Sequence, residues 1–162
     1  MSGAHHPPVD LEWVVAQRRR DQNHTRDCLR YGASDYELAQ RWWEPHLVYV
    51  LRVHAEGLYK VGLTRHDSRR IRDLTARGRA DVVDFLLMAN RHAARLLEIV
   101  VLNATDSARR FADRMNQHHG QTEHWDGSLS PLALEPIAAA LSLDEHLVYW
   151  SVTLPSKTSR EP

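Results

Sequence analysis

The sequence contains a single cysteine, no long apolar run and no net charge. Cys28 alone cannot form an internal disulfide and does not provide a thiolate zinc site, which fits a reducing compartment. No apolar stretch approaches the roughly 18–20 residues needed to cross a bilayer. The start of the chain, MSGAHHPPVD, lacks the apolar middle of a signal peptide. We therefore expect a cytoplasmic protein that does not associate with a membrane.

The balance of 21 basic and 21 acidic residues indicates no class of partner for the whole chain. The charge is nevertheless unevenly distributed. The segment from Arg52 to Arg79 holds eight basic and three acidic residues, a net charge of +5. This segment is the part of the chain that most favours a polyanionic partner.

A chain of 162 residues fits one domain with an appendage. We expect residues 1–45 to form a flexible lead-in and a helical extension, 46–143 the main domain, and 144–162 a C-terminal strand and tail. In the extension, a helix from about Asp10 ends near Gly32. A second helix begins at Ser34, with Glu37 three residues later in a capping-box pattern, and stops before Pro45.

The main domain begins with a predicted β-hairpin. Residues 47–54 alternate between two faces, Gly57 lies in the turn, and residues 58–63 form the returning strand. A short helix that ends at Gly78 follows, then an apolar strand, 81–89, expected at the centre of the sheet. A helix begins after Asn90 and continues to Gly120, and further elements are a helix around 131–141 and a last strand. The pattern predicts an α/β (α+β) domain with a small antiparallel sheet flanked by helices.

Two short motifs lie on the hairpin. Leu47-Val48-Tyr49 begins its first strand, and Tyr59-Lys60-Val61-Gly62 lies on its second, with Gly62 13 positions after Tyr49. Arg70 follows Gly62 by eight positions, and Glu98 lies on a later helix. This arrangement resembles the GIY-YIG nuclease superfamily, in particular the phage-type subgroup whose second motif reads Y-K-I-G. The similarity covers roughly residues 47–125.

The resemblance implies four catalytic residues. Tyr49 would position or deprotonate the attacking water, and a phenol, with an ordinary pKa of about 10, needs nearby cations for the second role. Lys60 would orient water or phosphate, and Arg70 would hold the scissile phosphate through its planar fork. Glu98 would bind one hard divalent cation, Mg²⁺ or Mn²⁺. The implied activity is metal-dependent hydrolysis of phosphodiester bonds in nucleic acid.

The basic segment supplies the expected substrate contacts. DNA is the expected substrate rather than RNA, and the part of this segment from Arg65 to Arg79 would face the nucleic acid backbone and give affinity without sequence choice. The residues proposed for this role are Arg65, His66, Arg69 and Arg72.

The sequence also departs from the subgroup's pattern. Leu47, Leu63 and Leu102 stand where relatives carry a glycine and two histidines, and only Gln121 or Glu123 could take the place of the final asparagine. These departures favour an alternative, a catalytically degenerate relative that binds nucleic acid or protein without cutting. An unrelated binding module with an accidental likeness is a third interpretation.

Glu98 also stands out from its local sequence. Its helical neighbours Ala94, Val101 and Leu102 are apolar, and a buried carboxylate without a partner would be costly. A metal ion or an arginine would remove that cost, whereas a solvent-facing position would make a partner unnecessary. The histidine-rich stretch HHGQTEH, 118–124, matches no standard zinc spacing.

Overall fold

The computed structural model describes residues 11–110 and 124–146. It confirms the mixed α/β class, with an antiparallel sheet flanked by helices and a helical N-terminal segment. The helices and strands, in chain order, are α1 (Leu11–Tyr31), α2 (Asp35–Ala39), β1 (His46–Val53), β2 (Leu58–Arg65), α3 (Arg70–Thr75), β3 (Ala80–Met88), α4 (Arg91–Ala104), β4 (Arg109–Arg110), β5 (His124–Asp126) and α5 (Leu134–Ala140).

The predicted hairpin is confirmed and forms the middle of the sheet. The strand order is β3-β1-β2-β5-β4, and each described neighbour pairs antiparallel. In the β1–β2 register, Tyr49 lies opposite Gly62 and Leu51 lies opposite Lys60. Because directly opposed residues project to the same face, these four positions share one side of the sheet.

The sequence predicted that 81–89 is a central strand, whereas among the strands that the structure describes β3 lies at the edge, beside β1. The apolar run of β3 is explained by the helices that cover both of its faces. Helix α3 packs on one face of β3, and helices α4 and α5 pack on the other, so residues of both faces are shielded from water. Asp84 helps to hold this edge, since its Oδ2 accepts a hydrogen bond of 2.9 Å from the backbone N–H of Leu134 at the start of α5.

The two faces of the sheet carry separate apolar clusters. On the side that we call the groove face, Leu47, Tyr49 and Leu51 of β1 pack with Ile71 of α3. On the opposite side, the α4 face, the cluster includes Val48, Val50, Val61, Leu97, Val101 and Trp125. The alternation predicted for residues 47–54 is therefore confirmed, and it fixes the side on which each functional candidate of the hairpin lies.

The N-terminal helices pack on α4. Arg18 of α1 is buried and forms an ion pair with Asp106, while Arg95 of α4 bonds Asp21 of α1 at 2.8 Å. Helix α2 begins with the predicted capping box.

In this capping box, the Glu37 N–H donates to Ser34 Oγ at 3.2 Å, and Glu37 Oε2 accepts from the Ser34 N–H at 2.9 Å. The hydrogen bond from the Ser34 backbone is the largest cause that lowers the pKa of Glu37, to about 2, and the side chains of His92 and Ser34 act in the same direction.

Two predicted helix limits are corrected. The helix that follows Asn90 ends at Ala104, because Thr105 Oγ1 bonds back to the Val101 carbonyl at 2.8 Å and the chain passes into a 3₁₀ turn, Asp106–Ala108. The last helix begins only at Leu134. The expected lead-in, the break at Gly120 and the C-terminal strand beyond the 3₁₀ turn Asp144–His146 lie outside the described residues. None of the helices described is both long and apolar enough to span a membrane.

Candidate active site

The tyrosine of the first motif and the glycine of the second form one unit. Tyr49 is 1 % exposed, and its ring lies directly over Gly62. A Cβ atom at position 62 would stand 2.5 Å from Tyr49 Oη and 2.6 Å from Cζ, closer than carbon atoms tolerate. Glycine is therefore required at this position by the approach of the ring.

Arg70 reaches the same phenol from helix α3. Its Nε lies 3.4 Å from Tyr49 Oη in a hydrogen bond. Arg70 is the first residue of α3, and its backbone N–H donates to Ser68 Oγ at 3.1 Å, which fixes the start of the helix beside the strand. Two of the residues predicted for catalysis are thus in direct contact.

A groove of about 780 Å³ opens beside this contact, between the sheet and α3. Lys60 and Arg70 both line it, and Lys60 is 5 % exposed on its floor. His124 of β5 lies opposite Lys60 in the register and also lines the groove. The full lining is Leu51, Val53, His54, Ala55, Glu56, Lys60, Ser68, Arg69, Arg70, Asp73, Leu74, Arg77, Gly78, Arg79, Ala80 and His124.

The lining is basic, although the whole chain is neutral. It contains Lys60 and four arginines against two acidic residues, Glu56 and Asp73. Arg79 is tied to the end of α3, with Nη2 bonded to the Asp73 carbonyl at 2.9 Å. A concave surface with an excess of positive charge raises the local concentration of anions, phosphate groups included.

The four residues predicted for substrate binding divide into two groups. Arg69 lines the groove, whereas Arg65, His66 and Arg72 are not part of its lining. Arg65 forms an ion pair with Asp67 at the end of β2, and Arg72 is exposed on α3.

Glu98 lies on α4, the helix that covers the opposite face of the sheet, and it does not line the groove. Its side chain is buried, with 4 % of its surface exposed, and an oxygen of its carboxylate is paired with Arg95 Nη1. The prediction of a buried carboxylate that requires a partner is confirmed, and in the described structure an arginine fulfils that need. The structure thus brings Tyr49, Lys60 and Arg70 to one face of the sheet. Lys60 and Arg70 line the groove, whereas Tyr49 is buried behind Arg70 and Glu98 lies outside the groove.

Arg91 interacts electrostatically both with Glu98 and with the end of the hairpin. Its positive charge attracts the Glu98 carboxylate, and in addition to burial the charges of Arg91 and Arg65 both lower the pKa of His46 at the start of β1. Burial is the largest cause that lowers the pKa of His46, the hydrogen bond to the Glu44 carbonyl opposes this, and the two arginines reinforce it. Arg65 and Arg91 therefore both lie near this end of the hairpin, where Asp67 pairs with Arg65.

The carboxylate of Glu98 has the donor chemistry of a magnesium or manganese site. It is a hard oxygen ligand, and one protein carboxylate can suffice because Mg²⁺ keeps several of its waters. Arg95 is a competitor for that carboxylate. It also bonds Asp21 at 2.8 Å, so it can keep one acidic partner when a metal ion takes Glu98. A divalent ion at Glu98 would have to displace the bond from Arg95 Nη1, and Glu98 is in neither group of three or more possible metal ligands among the described residues.

Sequence reasoning missed several residues of the groove. His54, at the end of β1, contacts Asp81 at 2.9 Å, and His124 lies on a strand that comes more than 60 residues after its partner Lys60. A signal near His124 existed in the stretch GQTEHW, since its resemblance to the subgroup's closing segment around Glu123 and Trp125 drew attention to this part of the sequence. The positions suggested for the family's asparagine, Gln121 and Glu123, lie outside the described residues.

Comparison of the chain with protein-family models, with curated proteins and with solved structures gives no match.

Proposed function

We propose that the protein is a divalent-metal-dependent endonuclease of GIY-YIG type that hydrolyses phosphodiester bonds in DNA, in the cytoplasm. The observation that supports this most strongly is the contact of Arg70 with Tyr49 over Gly62. The motifs of the resemblance put these three residues into one catalytic unit, and the described structure has them touching beside a basic groove.

In this proposal, Arg70 binds the scissile phosphate. Its Nε is engaged by Tyr49 Oη, and the planar guanidinium has further N–H groups with which to bond two phosphate oxygens. Lys60 adds a second positive charge from the floor of the groove, and Arg69 and Arg77 at the rim contact the neighbouring phosphates. Fixed donors aimed at the oxygens where negative charge develops stabilise the transition state.

Tyr49 positions the attacking water. Its ring cannot move readily, because it packs between Gly62 and the apolar cluster of the groove face, and Arg70 holds its hydroxyl. Such a rigid hydroxyl can orient a water molecule for attack in line with the leaving oxygen.

Glu98 would hold the metal ion, which when bound would supply positive charge to the phosphate oxygens. The proposal requires the substrate phosphate to lie between the groove and α4, along the edge of β2 that β5 pairs with only at Leu58, Tyr59 and Lys60 among the described residues.

The test is a nicking assay on supercoiled plasmid with Mg²⁺ or Mn²⁺. Arg70→Lys keeps the charge and removes the fork, so its cleavage rate should fall on the order of a hundredfold or more. Glu98→Gln keeps the size of the side chain and should remove the response to metal. The matched control is Arg52→Ala, an exposed arginine of β1 opposite Tyr59, which should cleave at the wild-type rate.

A second candidate function is binding of nucleic acid without cleavage. The pairing of Glu98 with Arg95, away from the groove, favours it. A wild-type protein that binds DNA in a salt-dependent manner, loses affinity on Arg70→Ala and never nicks plasmid would support this candidate. A protein that neither cuts nor binds nucleic acid would contradict both.

A further inference from the structure

Four side chains with the chemistry of zinc ligands meet where α1, α2 and α4 come together. They are His24 and Cys28, one turn apart on α1, Glu37 on α2 and His92 on α4. The ligand atoms of Cys28, Glu37 and His92 all lie within 4.8 Å of one another. Cys28 Sγ lies 3.5 Å from His24 Nε2, so the histidine extends the cluster to four members.

Two pairs of these atoms have separations near those of a tetrahedral site, and the exposed His24 would have to turn its ring towards Glu37 and His92 to complete it. Zinc binds sulfur at about 2.3 Å and nitrogen at about 2.0–2.1 Å, which separates two tetrahedral S and N ligands by roughly 3.5 Å. The Cys28–His24 pair has this separation. Glu37 Oε1 and His92 Nε2 are 2.6 Å apart in a hydrogen bond, and they would need to part by less than about 1 Å to bind the same ion.

Hydrogen bonds from neighbouring groups fix the direction of the Glu37 carboxylate, as expected for a preformed metal site. Glu37 Oε2 is held by the Ser34 N–H at 2.9 Å and by Ser34 Oγ at 3.1 Å, which leaves Oε1 directed at His92. Hydrogen bonds of this kind to ligating carboxylates fix their direction. His92 and Glu37 are buried and Cys28 is half-buried, so an ion there would be shielded on one side while His24 is exposed.

We propose that His24, Cys28, Glu37 and His92 form a Zn²⁺ site that fastens the two N-terminal helices to α4. A thiolate and two imidazoles favour zinc over magnesium or calcium, and all the ligands can close a four-coordinate structural site. On binding, the Cys28 thiol passes its proton to solvent. His92 gives up to solvent the Nε2 proton that it donates to Glu37 Oε1, remains neutral with its proton on Nδ1, and binds the metal through the Nε2 lone pair. The site is separate from the groove and does not depend on the proposed nuclease activity.

A second group, Glu44, His66 and Asp67, also has ligand atoms close together. It is a weaker candidate, because Arg41 bonds Glu44 and Asp67, and Arg65 also pairs with Asp67. Its histidine provides a matched control for the test.

The test is zinc titration of the full chain after removal of metal with a chelator, followed by calorimetry and by metal analysis of the dialysed protein. One zinc ion per chain should bind and raise the melting temperature. Cobalt in its place should give the visible absorption of a tetrahedral ion with a sulfur ligand. Cys28→Ser should abolish the sulfur-dependent absorption and lower zinc affinity at least tenfold.

His24→Asn is the second variant, since His24 is exposed and its loss should leave the metal-free fold intact. It should also weaken zinc binding, while His66→Asn should bind zinc as the wild type does. The proposal is overturned if the protein takes up no stoichiometric zinc. It is equally overturned if Cys28→Ser and His24→Asn bind zinc with wild-type affinity, or if the loss occurs in His66→Asn instead.

Discussion

Replacement of Gly62 by alanine should destabilise the protein through one contact. No positive φ is involved at this glycine, so an alanine backbone is acceptable, and the added Cβ meets only the Tyr49 ring, 2.5 Å from Oη and 2.6 Å from Cζ. Ordinary contact begins near 3.4 Å, so the ring must shift by almost 1 Å. Tyr49 is 1 % exposed and cannot escape to solvent. Overpacking of this kind costs about 1–3 kcal/mol.

A double-mutant cycle measured by urea unfolding isolates that contact. In a Tyr49→Val background the obstacle is absent, and Gly62→Ala should be neutral or stabilising by about 0.5–1 kcal/mol, since alanine loses less backbone entropy in a strand. The coupling free energy between the two positions should therefore be about 1–4 kcal/mol. An equal effect of Gly62→Ala in both backgrounds would refute the placement of the ring over the glycine.

Three further predictions concern charged side chains. The pKa of Glu37 is lowered to about 2, so the stability it gives to the metal-free protein should be complete above about pH 4.5. This stability should be lost as the pH falls towards 2, and urea unfolding of Glu37→Gln should lack that part of the pH dependence. Arg95→Gln should lower the melting temperature without metal and increase the stabilisation by Mn²⁺, because Glu98 loses its internal cation; an unchanged Mn²⁺ response would exclude Glu98 as the ligand. Asp84→Ala should cost about 1–3 kcal/mol of unfolding free energy, since the first N–H of α5 loses its acceptor, and a change below 0.5 kcal/mol would contradict that role.

The sequence was informative where the causes of structure are local. Alternation of apolar residues predicted both faces of β1, and the pattern of Ser34 and Glu37 predicted the capping box. The spacing of Tyr49 and Gly62 corresponds to their direct opposition across the hairpin. Each of these features is determined by residues within about 15 positions of one another, so little tertiary information is needed.

Strand order and side-chain contacts between residues far apart in the sequence could not be predicted from local sequence patterns. Among the described strands, β3 lies at an edge of the sheet. Its apolar run could not show this, because a strand covered by helices on both faces has the same apolar pattern as a strand at the centre of a sheet. The partner of Glu98 lies only three residues away, but whether Arg95 turns to it depends on Asp21 of α1. Cys28 gave no zinc signal, because only His24 lies near it in the sequence, whereas Glu37 and His92 come from two other helices.

The most direct test of the catalytic role of the Tyr49–Arg70 contact is the nicking rate of Tyr49→Phe in Mn²⁺. This variant keeps the ring over Gly62 and removes only the hydroxyl that Arg70 bonds. A nuclease that uses this hydroxyl should lose on the order of a hundredfold or more in rate, while its stability changes by about 1 kcal/mol or less. Wild-type cleavage that is matched by Tyr49→Phe would contradict the account.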